Sequence, residues 1–126
     1  MEETFAIAEF SKRTGLSQDT IRYYEKIGLL PAPMRRANGQ REYVKIDLDR
    51  VLFITHLKRT DMSLKKILEY VTRSKEKDYE ECYSILDEHK QHIESQLADM
   101  QTTLDILKYK LDNFQALKTG KRTEDL

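Results

Sequence analysis

The sequence of 126 residues is poor in residues that form turns and cross-links: it has four glycines, two prolines, one cysteine and no tryptophan. All-β folds need many turn residues, so this scarcity argues against one. The single cysteine, Cys82, excludes an internal disulfide and an all-cysteine metal site within one chain. The sequence also lacks an apolar run near the ~20 residues that cross a bilayer and a basic, apolar leader at its start. We therefore expect a cytoplasmic protein without membrane contact.

Charge is abundant but balanced, with 22 Lys+Arg against 22 Asp+Glu. The length of 126 residues fits one domain, or one small domain with an appended element. It is too short for a two-domain enzyme with its own cofactor fold. A net charge of zero at first argues against nucleic-acid binding, but the distribution of charge matters more than its total. Arg35, Arg36 and Arg41 form a local basic patch with no acidic residue between them.

Residues 5–30 have the pattern of two short helices separated by a tight turn. Gly15 ends the first helix, because glycine accepts the left-handed backbone found at many helix exits. Ser17 is a favourable N-cap for the second helix, which Gly28 and Pro31 terminate. Helix, glycine turn and helix in this spacing predict a helix-turn-helix unit.

Residues 34–44 have the pattern of a small hairpin. Asn38 and Gly39 are a strong hairpin signal, because both residues accept the positive φ of a type I′ turn. Arginines lie on both sides of this turn. We therefore predict a two-stranded wing that carries positive charge.

Two further N-caps predict two further helices. Asp47 caps a third helix that ends near Arg59, and Ser63 caps a short fourth helix that ends near Thr72. Residues 73–78 then form a polar connector.

The C-terminal third has a regular repeat. From Tyr79 to Phe114 apolar or aromatic residues follow one another alternately four and three residues apart, with Lys90 the one exception. A stripe this narrow is typical of a coiled-coil seam rather than of the wider face of a globular helix. The helix would be roughly 54 Å long at ~1.5 Å per residue. Since no other segment is large enough to cover it, we expect a two-fold homodimer, with an interface formed by Leu86, Ile93, Leu97, Met100, Leu104, Leu107, Leu111 and Phe114.

These elements predict a mainly α protein in three segments. Residues 1–74 form a winged helix-turn-helix head, residues 75–117 a coiled-coil helix for dimerisation, and residues 118–126 a flexible tail.

Four segments together resemble the MerR (mercury-resistance regulator) family: Thr20–Glu25 (TIRYYE), Gly28–Leu30, Pro33–Arg35 and Asn38–Tyr43 (NGQREY). The order of elements matches over residues 5–117. The resemblance implies a bacterial transcription regulator that dimerises through an antiparallel pair of long helices. Such regulators act with RNA polymerase at promoters whose spacer is too long, and a ligand makes them twist and bend the palindromic operator.

A recognition helix places its N-terminal residues in the major groove, and a wing approaches flanking phosphates or the minor groove. By resemblance Lys58 also touches phosphate. Tyr24 has a second interpretation as a core residue, Asn38 as a turn former, and Arg36 and Lys58 as solvated charges. The expected contacts with double-stranded DNA are Ser17, Thr20, Arg22, Tyr23, Tyr24, Arg35, Arg36, Asn38, Arg41 and Lys58.

The signal that this regulator senses is constrained by the scarcity of cysteine. Metal and iron–sulfur sensors of the family use several cysteines, and Cys82 is alone, so we expect no metal and no cofactor. We interpret His89 and His92 as solvated helix surface. Cys82 has two interpretations, a buried inert thiol or a reactive sensor thiol. A small-molecule effector would lie where the long helix meets the partner's head, near Tyr70, Tyr79, Cys82 and Tyr83.

Three other functions fit less of the chain. An enzyme would need a carboxylate pair, a Cys–His pair or a phosphate-binding loop, and no such group stands out. A coiled-coil adaptor leaves the winged head without a purpose. An architectural, excisionase-like DNA-binding protein shares the winged head but usually lacks so long a dimerisation helix.

Overall fold

The computed structural model describes residues 3–120, and within that range it contains five helices and three short strands. In chain order they are β1 (Thr4–Phe5), α1 (Ile7–Thr14), α2 (Gln18–Lys26), β2 (Met34–Arg35), β3 (Arg41–Val44), α3 (Lys45–Arg59), α4 (Leu64–Lys75) and α5 (Tyr79–Lys118). The protein is mainly helical, with a winged helix-turn-helix head and a long final helix, as predicted.

The helix-turn-helix unit forms by the local rules that predicted it. Gly15 has a φ of 75°, the left-handed conformation expected where α1 ends. The Ser17 side chain accepts a hydrogen bond from the backbone N–H of Thr20 and so caps α2. Phe10 and Ile21 are fully buried and lie in the core of the head. Burial of apolar side chains of this kind stabilises a fold by about 1.5–3 kcal/mol each.

The predicted two-stranded wing is present as β2 and β3, and a third strand extends its sheet. In the described residues the sheet has three strands in the order β1-β3-β2. β1 pairs antiparallel with β3, so that Phe5 lies opposite Tyr43. Phe5 therefore belongs to a strand and not to the first helix. A strand of two residues has too little pattern of its own to be recognised, because pairing with β3 alone defines it.

The prediction of a type I′ turn is wrong. Arg36 N–H donates to the Gln40 carbonyl, and Gly39 N–H donates to the Arg36 carbonyl. Among the described residues Asp61 and Lys77 are the only non-glycine residues with positive φ, so Asn38 does not adopt it, whereas Gly39 has a φ of 85°. This is a three-residue loop in which the left-handed glycine forms a bulge. Compared with a two-residue turn, this loop has one more residue. It forms without strain at Asn38, because only Gly39 adopts the left-handed conformation.

The predicted start of the third helix is also wrong, and the fourth helix is longer than predicted. α3 begins at Lys45, with Val44 at the N-cap position. Asp47 lies inside the first turn, where its carboxylate accepts a hydrogen bond from the Val44 N–H at 2.9 Å. Asp47 therefore stabilises the N-terminus of α3 from the third helical position and not from the N-cap position. Ser63 caps α4 as predicted, but α4 continues to Lys75.

The long helix α5 has 40 residues and confirms the long terminal helix of the prediction. The chain divides between Ile85 and Leu86 into two compact units, so the first turns of α5 belong to the head. Cys82 and Ile85 are buried there. The predicted tail at 118–126 lies largely outside the described residues. Within residues 3–120 no helix has both the length and the apolar character needed to cross a membrane.

Candidate nucleic-acid interface

The N-terminal half of α2 presents polar groups on its outer face. The Ser17 hydroxyl donates to Thr20 Oγ1 at 2.9 Å. Arg22 is exposed, and its guanidinium donates to Asp19 at 3.2 Å and to Gln18 at 3.3 Å. Tyr23 is 49% exposed. This face therefore offers hydroxyl, guanidinium and phenol groups in the arrangement that a recognition helix brings to base edges and phosphates.

The two strands of the wing carry one arginine each, and both lie on the same face, whereas Arg36 lies just after β2. Arg35 lies directly opposite Arg41, and side chains opposite each other in an antiparallel pair share a face. The Arg35 guanidinium also donates to the Gly39 carbonyl at 2.9 Å. Arg36 lies 3.9 Å from the Glu42 carboxylate, so its charge is partly compensated. Arg35 and Arg41 are thus the pair that faces α2.

A groove lies between α2, the wing and the start of α1. It has a volume of about 400 Å³, and Arg22, Arg35 and Arg41 line it together with Gln18 and Gln40. Its lining is drawn from the described residues and contains three guanidinium groups and no acidic side chain. Arginine forks suit phosphate geometry, so the groove matches the charge of a nucleic-acid backbone.

One buried carboxylate joins the recognition helix to the wing. Arg41 Nε donates to Glu25 Oε1 at 2.9 Å, and the Tyr43 hydroxyl donates to Glu25 Oε2. The Glu25 side chain is 7% exposed and that of Arg41 is 25% exposed. Tyr43 also stacks on Phe10, with ring centroids 4.1 Å apart. Burial, reinforced by the hydrogen bond to Glu25, raises the pKa of Tyr43 well above its ordinary value.

Sequence reasoning missed Glu25 as a site residue, although a signal was present. Glu25 follows the fully buried Ile21 by four residues, and residues four apart lie on one helix face. An acidic residue on the buried face of a helix needs a partner. The identity of the partners could not be predicted, because Arg41 and Tyr43 lie 16 and 18 residues further along the chain.

The structure also places the predicted contacts that had a second interpretation. Tyr24 is 3% exposed and lies in the core. Its hydroxyl accepts a hydrogen bond from Lys58 Nζ at 3.0 Å. Asn38 Oδ1 accepts a hydrogen bond from the Gln40 N–H at 3.0 Å, so this side chain stabilises the turn.

The four effector candidates differ in burial within a single chain. Cys82 is buried, and its Sγ lies 3.8 Å from the Tyr70 carbonyl. Tyr79 and Tyr83 are exposed. Burial raises the pKa of the Cys82 thiol, and the carboxylates of Asp78 and Glu81 raise it further. A thiol with a raised pKa is a weak nucleophile at neutral pH.

The histidine pair and the predicted seam both lie on α5. The His89 and His92 ring centroids are 6.0 Å apart. Among residues 3–120 no three His, Cys, Asp or Glu side chains cluster as metal ligands would.

The predicted seam of α5 is largely exposed in a single chain. Lys90 Nζ lies 3.6 Å from Glu94 on the same helix. Leu86 and Ile93 are half-buried, and the remaining predicted interface residues are exposed: Leu97, Met100, Leu104, Leu107, Leu111 and Phe114.

Comparison with known proteins gives matches over most of the chain. The profile "MerR family regulatory protein" matches residues 7–43, and the profile "MerR, DNA binding" matches residues 48–109. A helix-turn-helix transcriptional regulator of Haemophilus influenzae is 33% identical over 117 residues, which cover 91% of this chain and 87% of that protein. The regulator YyaN of Bacillus subtilis is 46% identical over 67 residues, and this match spans only 49% of its length.

A solved structure agrees with these sequence matches. HiNmlR, described as a MerR family regulator that lacks the sensor domain and is bound to promoter DNA, superposes with a TM-score of 0.81 at 32% identity. The superposition covers 94% of this chain and 92% of HiNmlR.

Proposed function

The chain belongs to the MerR family of DNA-binding transcription regulators, and we propose that it acts as a homodimer on a palindromic operator in double-stranded DNA. The observation that carries this proposal is the groove in which Arg22 of the recognition helix and Arg35 and Arg41 of the wing converge. Members of this family are transcription regulators and not enzymes.

The phosphate backbone fits the wing side of the arginine groove, where Arg35 lies, and the bases fit the exposed face of α2, which carries Arg22. Phosphate contacts fix the register of a protein on the duplex, while side chains of a recognition helix read base edges. Thr20, Arg22 and Tyr23 are the exposed or half-buried members of the predicted set on α2. We assign the base-reading role to Arg22 and the phosphate-positioning roles to Arg35 and Ser17. Lys58, which is held by the Tyr24 hydroxyl, then reaches a phosphate further along the backbone.

Dimerisation rests on the seam of α5. Six large apolar residues from Leu97 to Phe114 are solvent-exposed along one stripe of a single helix. A single apolar side chain contributes about 1.5–3 kcal/mol when buried, so an antiparallel partner helix would gain substantial stabilisation. A two-fold dimer presents two recognition helices to half-sites about one or two turns apart, at roughly 34 Å per turn.

Regulation follows from operator distortion. A dimer that twists and bends an over-long spacer would align the promoter for RNA polymerase. Such a deformation requires on the order of 1–6 kcal/mol. A small-molecule or stress signal would supply it through a difference in affinity for the two states of the protein.

The seam is tested by a double substitution with a matched control. Leu97→Asp with Leu104→Asp places charges on the seam, and Ser95→Asp with Thr102→Asp places the same charges at the same spacing on the outer face. Sedimentation should show a monomer for the first variant and a dimer for the second. A seam variant that remains dimeric and binds a palindromic site as tightly as wild type would refute the proposal.

Operator footprinting separates a regulator from an architectural protein. We expect one symmetric protected site upstream of the regulated gene. Protection that spreads evenly along the DNA would instead support the architectural, excisionase-like alternative.

A further inference from the structure

A second cavity lies in the head, apart from the arginine groove. Its volume is about 440 Å³, and its walls come from α3, α4 and the segment that follows α2. This volume falls within the range of roughly 300–1,000 Å³ that is usual for small-molecule sites. The apolar part of the wall is formed by Pro31, Phe53, Ile54, Tyr70 and Val71.

Two aromatic side chains of the wall contact each other. The Phe53 and Tyr70 rings meet edge to face, with centroids 5.9 Å apart and an interplanar angle of 61°. Phe53 is 40% exposed even though it lies on a helix of the head. An aromatic ring that enters the cavity would cover Phe53 and gain edge or stacking contacts with both side chains.

The rim of the cavity carries positive charge. Arg50 and Lys75 line it, and its described lining contains no acidic residue. Lys75 Nζ donates one hydrogen bond, to the Gly28 carbonyl at 3.1 Å, while an ammonium group has three protons to donate. Arg50 lies 3.4 Å from Asp47, and the Arg50 side chain is 48% exposed, so water screens this pair. Both cations therefore retain capacity for an anionic ligand.

We propose that this cavity binds a small aromatic monocarboxylate, with the ring against Phe53 and Tyr70 and the carboxylate at Lys75 and Arg50. Binding of this ligand does not depend on the proposed function. Only its role as the effector of the regulator rests on that function. The location suits an effector, because Lys75 holds the carbonyl of Gly28, directly after α2, and Pro31 lies on the path from the recognition helix to the wing. A ligand carboxylate at Lys75 would compete with the Gly28 carbonyl for the ammonium group, and would so act on the segment between α2 and the wing.

The site is tested by calorimetric titration of the full-length protein without DNA, so that a failure of DNA binding cannot be mistaken for a failure of the site. The probes are benzoate and naphthoate, with benzyl alcohol as the neutral counterpart of benzoate. We expect saturable binding of the carboxylates and roughly tenfold weaker binding of the alcohol, because a charge-assisted hydrogen bond is lost.

Two variants assign the binding to this cavity. Lys75→Met keeps most of the apolar stem and removes the charge, so benzoate should bind roughly tenfold more weakly while benzyl alcohol is unaffected. Lys65→Met removes a charge from the same helix outside the cavity lining and should change neither affinity. The thermal melt of Lys65→Met should match that of wild type, and Lys75→Met, which loses the exposed hydrogen bond to the Gly28 carbonyl, should melt only slightly lower.

Three results would overturn the inference. The first is the absence of saturable binding of either carboxylate at millimolar concentration. The second is a carboxylate affinity that Lys75→Met leaves unchanged. The third is binding by the monomeric Leu97→Asp, Leu104→Asp variant but not by wild type, which would mean that a second copy of the chain occupies the cavity.

Discussion

The link between Glu25, Arg41 and Tyr43 should be a large contribution to the stability of the head. Glu25→Gln keeps the shape of the side chain and removes its charge. The amide has one acceptor oxygen for two donors, Arg41 Nε and the Tyr43 hydroxyl, and its NH₂ group faces one of them. Breaking a fully buried ion pair costs about 3–5 kcal/mol. Arg41 is 25% exposed, so we expect a loss of about 1–3 kcal/mol in the free energy of unfolding.

The chain offers a matched control for this prediction. Arg13 Nε and Glu9 Oε1 form an ion pair at 3.0 Å, close to the 2.9 Å between Arg41 and Glu25, but both Arg13 and Glu9 are exposed. Glu9→Gln should therefore cost less than about 1 kcal/mol. Urea unfolding followed by circular dichroism measures both variants under the same conditions. Equal losses for the two variants would show that burial does not set the strength of the Glu25 pair, and the reasoning would fail.

The remaining predictions concern DNA binding, the cysteine and pH. Arg22→Ala should reduce operator affinity by about 1–3 kcal/mol, and Arg41→Ala should flatten the salt dependence by less than the one unit of a free phosphate-binding arginine, because Glu25 holds Arg41; fluorescence anisotropy that shows neither change would contradict the interface. Native Cys82 should react with iodoacetamide at neutral pH more slowly than the urea-unfolded chain does, and equal rates would contradict its burial and raised pKa. The pKa of Tyr43 is higher in the folded than in the unfolded chain, so its contribution to stability is complete below about pH 10 and decreases at higher pH. Tyr43→Phe should remove part of this alkaline decrease in the free energy of unfolding. Identical pH profiles of stability for the variant and wild type would disprove the linkage.

Local sequence rules were enough for the helices of the head and for the long helix. Ser17 and Ser63 cap their helices as predicted, because a hydroxyl that accepts an N–H within three residues needs no distant partner. The alternating spacing from Tyr79 onward predicted one long helix, since a 3.5-residue repeat is a property of the segment itself. Arg22 and Tyr23, which the sequence placed in the first turns of α2 as DNA contacts, are exposed there, and their contact with DNA stays a prediction.

Competition between neighbouring signals decided the errors near the wing. Asp47 is a good N-cap residue, but β3 leads directly into α3, so the helix begins at Lys45 and the carboxylate bonds back to Val44. Asn38 and Gly39 allow a two-residue turn, but the pairing of Arg35 with Arg41 leaves a longer loop, in which Gly39 alone needs positive φ.

The sequence by itself thus determined the helix-turn-helix unit, the presence of a wing and the long helix with its apolar stripe. Only the tertiary structure decided that Thr4–Phe5 adds a third strand, that Arg22, Arg35 and Arg41 share one groove, and that Glu25 connects the recognition helix to the wing. The physical reason is the separation along the chain. Caps and helical repeats depend on partners within a few residues, whereas strand pairing and buried ion pairs depend on the packing of the whole head, which no local pattern contains.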